Sequence, residues 1–405
     1  MPTFQTTLYD RIDAVPLDDW MSVCRLDENP FLDPRFLRAV ERGLAGECQL
    51  WHAILRTDDG RAVAAATFSR YSVDGAIFAP SGVRKWIDSI RRWQPGFFRF
   101  KLLLCGTPVS TGRSQLAVAA GTSHNDVLPE LHRVATDLAR RCGAVLITWK
   151  EFDPSTVDAM SGMHRLGYRR SLTVCSYSLA SRFSTFEEYY EARSKRTRAN
   201  IRKTFGRGDA AGLRVEHVPG GVDVPSRYTP EMHRLYLNVA ERAKVKFEML
   251  PAEFFRELAR QYGDDARYTF VYVGEKPVAF CCALHTPGRY NMLYCGVDYD
   301  LNKTAEVYFN MMYRSLGHGF ARDVHTLHVG ASADEFKQHL GCVGTQLSMF
   351  VRGRTAFANW VIGKLFGVLF DAPKPATQTQ SSSSVMGPTQ VPGGVRPVPE
   401  TASRT

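Results

Sequence analysis

The run Arg267-Tyr268-Thr269-Phe270-Val271-Tyr272-Val273, then Gly274-Glu275-Lys276, then Pro277-Val278-Ala279-Phe280-Cys281-Cys282-Ala283-Leu284-His285 opens the stretch that decides the fold. β-Branched and aromatic residues flank a tight polar turn, which predicts a two-stranded hairpin. A third strand is expected over 289–298. An amphipathic helix follows over about 304–321, where Ala305, Tyr308, Phe309, Met312, Leu316 and Phe320 recur at helical spacing. A short buried strand at 324–329, Gly330, a short helix ending at Leu340-Gly341-Cys342 and a last strand at 346–352 complete the series.

The same order occurs once more, upstream. A helix over about 126–141 precedes Gly143 and a buried strand at 144–149. A short helix capped by Asp153, with Pro154 in its first turn, leads to Leu166-Gly167-Tyr168 and a strand at 172–179. Gly143 matches Gly319, and Leu166-Gly167 matches Leu340-Gly341. Leu-Gly ends many helices, so the weight lies in the matched order over some fifty residues. Two α/β units in tandem are predicted, 1–180 and 181–353, each with a mixed sheet of α+β type.

Before the first repeat, 1–46 reads as mostly helical. Strands are expected at 48–56 and 61–71 around the hairpin signal Thr57-Asp58-Asp59-Gly60. The aromatic and basic segment 86–98 reads as a helix or an irregular cover. After the second unit, 354–371 is apolar almost all round, and 372–405 is rich in Pro, Ser, Thr, Gln and Gly. The tail has too few large hydrophobic residues to order itself, so disorder is expected there.

The formal net charge is +10, which suits an anionic partner without choosing one. Nine cysteines without CxxC spacing argue against a zinc site or a disulfide framework and favour a reducing compartment. No stretch approaches the ~20 apolar residues of a spanning helix, and Met1 to Tyr9 has no signal-peptide pattern. A cytoplasmic protein is expected. In 354–371, Phe357 to Phe370 with Arg352, Arg354 and Lys364 has two readings, a docking helix on the second unit or a peripheral anchor in anionic lipid.

The stretch from Arg193 to Lys203, Arg-Ser-Lys-Arg-Thr-Arg-Ala-Asn-Ile-Arg-Lys, resembles the Ser-Lys-x-x-Arg-x-Asn-Ile-Arg-Arg segment of BioF2-like acetyltransferase domains. These are relatives of FemAB-type transferases within the GNAT acyltransferases. Further matches follow in order. They are the basic segment 242–246 before Pro251-Ala252-Glu253-Phe254-Phe255, the hairpin Gly274-Glu275-Lys276-Pro277-Val278-Ala279, and Leu327-His328-Val329-Gly330 through Phe336-Lys337 to Leu340-Gly341. The resemblance implies tandem GNAT-like units and acyl transfer to an amine, with acyl-CoA as co-substrate and the acyl site in the second unit. It implies that Cys295, Gly296 and Val297 offer backbone amides, and that Asn302, Lys303, Thr304 and Ala305 begin a helix that holds the donor phosphates. The family's glycine-rich cradle is absent there, and Phe336 stands where its acid tyrosine would be.

An amine must also lose a proton. His328, Glu248 and Asp298 are the candidates for that work. Arg196, Arg198, Asn200 and Lys337 are expected to meet the acceptor. Nucleic acid is not the expected partner. The alternatives are a FemAB-like aminoacyl-tRNA-dependent transferase acting on a cell-wall precursor, and a GNAT scaffold that binds a partner and catalyses nothing.

Overall fold

The computed structural model describes residues 3–78, 81–109, 111–221, 223–242, 249–331 and 334–370. Among them thirteen strands form one sheet: β1 Gln5–Tyr9, β2 Gln49–Arg56, β3 Ala62–Asp74, β4 Arg99–Cys105, β5 Leu116–Val118, β6 Leu146–Phe152, β7 Arg169–Ala180, β8 Leu213–Pro219, β9 Ala266–Val273, β10 Lys276–Thr286, β11 Arg289–Val297, β12 Thr326–Ala331 and β13 Val343–Gly353. Their order is β1-β2-β3-β4-β6-β13-β7-β12-β11-β10-β9-β8, with β5 beside β3. The hairpins expected at 57–60 and 274–276 form, β2 with β3 and β9 with β10.

The centre of the sheet is built by exchange. In each half a parallel pair, β4 with β6 and β11 with β12, ends the local run. The strand that would follow goes to the other half. β13, from the end of the chain, pairs antiparallel with β6, and β7, from the first half, pairs antiparallel with β12. β7 and β13 then pair with each other. The two expected repeats thus share one continuous sheet, and the 180/181 boundary falls just after β7.

β10 shows how both faces are covered. Phe280, Cys282 and Leu284 pack into a core with helices Pro230–Arg242 and Ala252–Tyr262, while Ala279, Cys281 and Ala283 meet helix Val307–Phe320 on the other side. A strand buried on both faces reads as a continuous apolar run, as this one does. The first of these cores also holds helix Pro34–Gly43 of the first half. A Cβ on Gly43 would lie 2.5 Å from Phe254 Cα, so the two helices meet backbone to backbone.

Several sequence expectations need correction. The N-terminal 46 residues include a strand, β1, which gains its place by pairing with β2. The stretch from 213 also forms an edge strand, β8. The helix expected over 304–321 is two helices, Tyr299–Ala305 and Val307–Phe320, parted at Glu306, whose φ is +48°. The chain around the basic segment forms two helices, Phe186–Glu191 and Lys195–Ala210. A capping box opens the first of these: Thr185 Oγ1 accepts from Glu188 N at 3.2 Å, and Glu188 Oε2 accepts from Ser184 N at 2.7 Å. Ser194 Oγ then accepts from Thr197 N and starts the second helix afresh. The tail expected to be disordered lies outside the described residues.

Two glycines give opposite expectations on substitution. Gly43→Ala forces the two packed backbones apart and is expected to cost about 1–3 kcal/mol. Gly206 sits exposed inside Lys195–Ala210, and a Cβ there would have nothing within 4 Å. Gly206→Ala is therefore expected to stabilise by about 0.5–1 kcal/mol. Urea unfolding of both variants measures the two signs.

Candidate functional site

The seam between the halves collects the polar chemistry. After β4 the chain leaves the sheet at Gly106 and crosses toward β7 and β12. Lys150 Nζ donates to Thr107 O at 3.1 Å and Val109 O at 3.0 Å, which pins the crossing loop to the end of β6. Glu151, buried and held at φ +66°, accepts from Thr111 N at 3.3 Å and Thr111 Oγ1 at 3.0 Å. A left-handed conformation at a non-glycine residue costs on the order of 1–3 kcal/mol and persists where its surroundings fix it.

Gly112, at φ +74°, is where this loop reaches the other half. A Cβ there would lie 2.9 Å from both His328 Nε2 and Ser176 Oγ. Ser176 comes from β7 and His328 from β12, so the strand exchange is what brings them together. Their Oγ and Nε2 are 2.6 Å apart, and His328 Nδ1 is buried with no hydrogen-bond partner among the described residues. Burial, followed by Arg113, Lys337 and Arg289, lowers the His328 pKa to about 3. The imidazole is therefore neutral at ordinary pH.

Cations surround this pair. Arg113 follows Gly112 and is half-buried, with no ion-pair partner for its guanidinium among the described residues. Burial and then Arg289 lower its pKa, against the pull of Asp153 and Glu28. Arg289 donates through Nε to Asp27 O at 2.7 Å. Lys337 is buried, donates a hydrogen bond to Ala331 O at 2.6 Å and lies 5.6 Å from the centre of the Tyr177 ring. The result is a cluster of partly desolvated cations beside a neutral histidine, a charge arrangement suited to a carboxylate or phosphate.

Of the residues singled out from sequence, His328 and Lys337 lie at this seam. Asp298 does not; it caps helix Tyr299–Ala305, accepting from Asp300 N at 3.0 Å and Leu301 N at 3.3 Å, and it pairs with Lys276 at 3.0 Å. Burial pushes its pKa up, but Lys276 and the two amides prevail and hold it below the usual range. Glu248 lies outside the described residues.

The expected donor end differs from its sequence reading. Thr304 and Ala305 fall inside helix Tyr299–Ala305, and Glu306 N donates to Asn302 O at 3.2 Å, so these amides are not an open cradle. Asn302 Oδ1 accepts from Tyr308 N at 2.8 Å and so caps the next helix, while the Glu306 carboxyl takes Thr204 and Arg207. Lys303 pairs with Asp300 at 2.9 Å in solvent. The adjoining recess, about 220 Å³, is lined by Glu241, Asp298 and Asp300 with Asn238, Arg242 and Tyr299. The break at Glu306 and these carboxylates make the spot a poor phosphate seat.

Cys295, Gly296 and Val297 end β11. The parallel pairing of β11 with β12 stops at Asn291 opposite His328, so the last residues of β11 keep one edge without a strand partner among the described residues. On its face, Gly296 admits helix Pro230–Arg242, because a Cβ would lie 2.5 Å from Tyr236 N. Burial raises the Cys295 thiol to about 11 and Cys282 to about 12, which rules both out as ready nucleophiles.

On the basic helix, Arg198 pairs with Glu191 at 2.8 Å, while Arg196 and Asn200 face solvent. Arg193, which the resemblance only included, does structural work. It lies 4.7 Å over the Tyr189 ring and donates to Leu340 O at 3.4 Å, tying the helix start to the Leu340-Gly341 turn. Arg113, Ser176, Glu151 and Arg289 escaped the sequence reading. Gly112 beside an arginine was their faint signal, and no local pattern joins residues of β7 to β12.

A sequence model of a family described as peptidoglycan biosynthesis/recognition, the FemAB-like family, matches residues 11–361. The chain belongs to the FemAB-like family. It is also 26% identical over 302 residues to proteins of two Mycobacterium tuberculosis strains titled putative 8-amino-7-oxononanoate synthase 2. That match takes in 73% of this chain and 38% of the relatives, so this FemAB-like chain spans well under half their length. Among solved structures, a tandem GNAT protein from the clavulanic acid biosynthesis pathway superposes with a TM-score of 0.52 at 12% identity, covering 87% of this chain and 99% of that one. The last likeness is one of fold. It agrees with the tandem GNAT-like architecture read from the sequence.

The depressed pKa of His328 links the seam to stability. Between about pH 3 and 6.5 the unfolded chain protonates this histidine and the native one does not, so this group makes stability fall as pH falls through that window. His328→Gln is expected to flatten the slope of unfolding free energy against pH by up to about 1.4 kcal/mol per pH unit. Chemical denaturation at pH 4.5, 5.5 and 6.5 measures it.

Proposed function

We propose that this protein is an acyltransferase that moves an acyl group from an activated donor to an amine on an anion-bearing acceptor, at the seam between its two halves. The observation that carries this reading is Arg113, desolvated and with no carboxylate partner among the described residues, on a loop whose Gly112 is pressed against the Ser176–His328 pair. The acceptor anion pairs with Arg113 and Arg289. Its charge cancels part of the field that depresses His328, leaving burial and Lys337 as the remaining causes. The histidine thus gains basicity only when the acceptor is seated, and its unpartnered Nδ1 is the atom left to meet a substrate group. The description of the family supports an acceptor from among cell-envelope precursors.

For the donor we propose an acyl thioester of the CoA type. Its arm would run along the free edge of β11 at Cys295 to Val297, where backbone amides can meet the developing oxyanion. Its diphosphate would lie away from Lys303 and Thr304. A second reading, an aminoacyl-tRNA donor, is favoured by the exposed Lys195, Arg196 and Lys203 on helix Lys195–Ala210, which form a grip for a polyanion.

The test is an assay of amide formation with carboxylate- and phosphate-bearing amines, supplied with acetyl-CoA in one arm and aminoacyl-tRNA in the other. Arg113→Gln is expected to lower kcat/KM for the acceptor by roughly 10–100-fold, the ~1.5–3 kcal/mol of a hydrogen bond to a charged group. Its melting temperature should not fall, because the change removes a charge facing Arg289. Equal turnover of neutral amines, or an indifferent Arg113→Gln, would overturn the anion reading. Product in the tRNA arm alone would replace the thioester donor. Product in neither arm would leave the binding scaffold as the better account.

A further inference from the structure

Away from the seam, the first half carries a surface that the reaction does not use. Helix Ala356–Phe370 docks on the sheet through Ile362, which is buried with Val73, Leu102, Leu104 and Leu146. Asn359 fixes its start, accepting from Gly353 N at 3.1 Å and donating to Gly167 O at 3.3 Å. The helix therefore lies over both units, with Ile362 among side chains of the first and Asn359 bonded to Gly353 of β13 in the second, so the expected docking on the second unit is met in part. Phe357 and Trp360 nevertheless point outward, 73% and 61% exposed, with their rings stacked 6.2 Å apart.

The same small core leads to a second aromatic group. Phe100 packs against it and touches Phe98 at 6.4 Å; Phe98 meets Phe97 at 6.3 Å, and Phe97 meets Trp86 at 5.8 Å. Trp86 is 60% and Trp93 92% exposed. Aromatic side chains of this size rarely stand in water without a partner that covers them. Lys85 and Arg92, next to Trp86 and Trp93 in the chain, are exposed, and Lys364 is exposed on the docked helix. Between 81 and 101 the sequence sets Arg84, Lys85, Arg91, Arg92, Arg99 and Lys101 against Asp88 alone.

We propose that this face is an interfacial docking surface for an anionic lipid bilayer. Trp86, Trp93, Phe357 and Trp360 enter the headgroup boundary while the cations meet lipid phosphates. Aromatic rings with a cationic rim fit that boundary, which is apolar below and negatively charged above. A second copy of the chain would bring a rim of the same sign against this one, which disfavours self-association through it. No helix among the described residues is long and apolar enough to cross a membrane, so the contact lies in the plane of the surface.

Flotation of the full chain with phosphatidylglycerol-containing vesicles, against pure phosphatidylcholine, tests this. The full chain should float with the anionic vesicles only and be released by high salt. Brominated lipid should quench its tryptophan emission. Trp93→Ser with Trp360→Ser should weaken the partition by about tenfold or more at an unchanged melting temperature, since both side chains are exposed. Lys85→Glu with Arg92→Glu gives a second readout if the aromatic variant melts early, and should also abolish flotation. Absence of flotation, or flotation indifferent to both double variants, would overturn the proposal. So would a concentration-dependent dimer that the aromatic variant dissolves, because the surface would then belong to a second copy.

Discussion

β6 and β12 each finish a parallel pair and leave a row of backbone N–H and C=O groups facing the middle of the molecule. An edge of that kind needs a partner strand, because buried amides without one cost more than the strand gains from burying its side chains. β13 covers β6 and β7 covers β12, so each half is completed by chain that belongs to the other. The pairing of β7 with β13 closes the arrangement. Helices Pro34–Gly43 and Ala252–Tyr262 reinforce it from one side, and Arg35 binds both Asp33 of its own cap and Asp265 of the second half, each at 2.8 Å. Folding of either half is therefore tied to the presence of the other.

The chemistry of the seam follows from that exchange. Ser176 can reach His328 only because β7 lies beside β12. Gly112 can press on both because the chain leaves β4 early instead of continuing the ladder with β6. Glu151 and Lys150 then hold the crossing loop, and the strained backbone at Glu151 marks how tightly the position is fixed. Burial that packs the loop also strips solvent from Arg113 and His328. One group becomes a cation in need of an anion and the other a histidine that stays neutral.

The two halves use equivalent positions differently. In the second half the helix start that could face a donor is closed by Glu306 and Asn302, and helix Lys195–Ala210 packs against it, with Gly208 under Asn310. In the first half the outer face is finished by helix Ala356–Phe370, which buries Ile362 and leaves Phe357 and Trp360 facing out, so docking and an exposed aromatic surface arise from the same helix.

Local patterns in the sequence determined a good deal. The alternation and apolar runs of β9 to β11, the turn at 274–276, and the caps at Asp33, Asp153 and Thr185 are set by neighbours within a few residues. The repeated order of elements and the basic segment were enough to point to the family. Tertiary structure decided what local signals do not contain. The break at Glu306 follows from its carboxyl being drawn to Thr204 and Arg207, about a hundred residues upstream. The meeting of Arg113, Ser176 and His328 follows from strand pairing across more than 150 residues. Hydrophobic period and capping act over one or two turns of chain, whereas the partner of a strand edge and the company of a buried charge are settled only when distant segments compete for the same space.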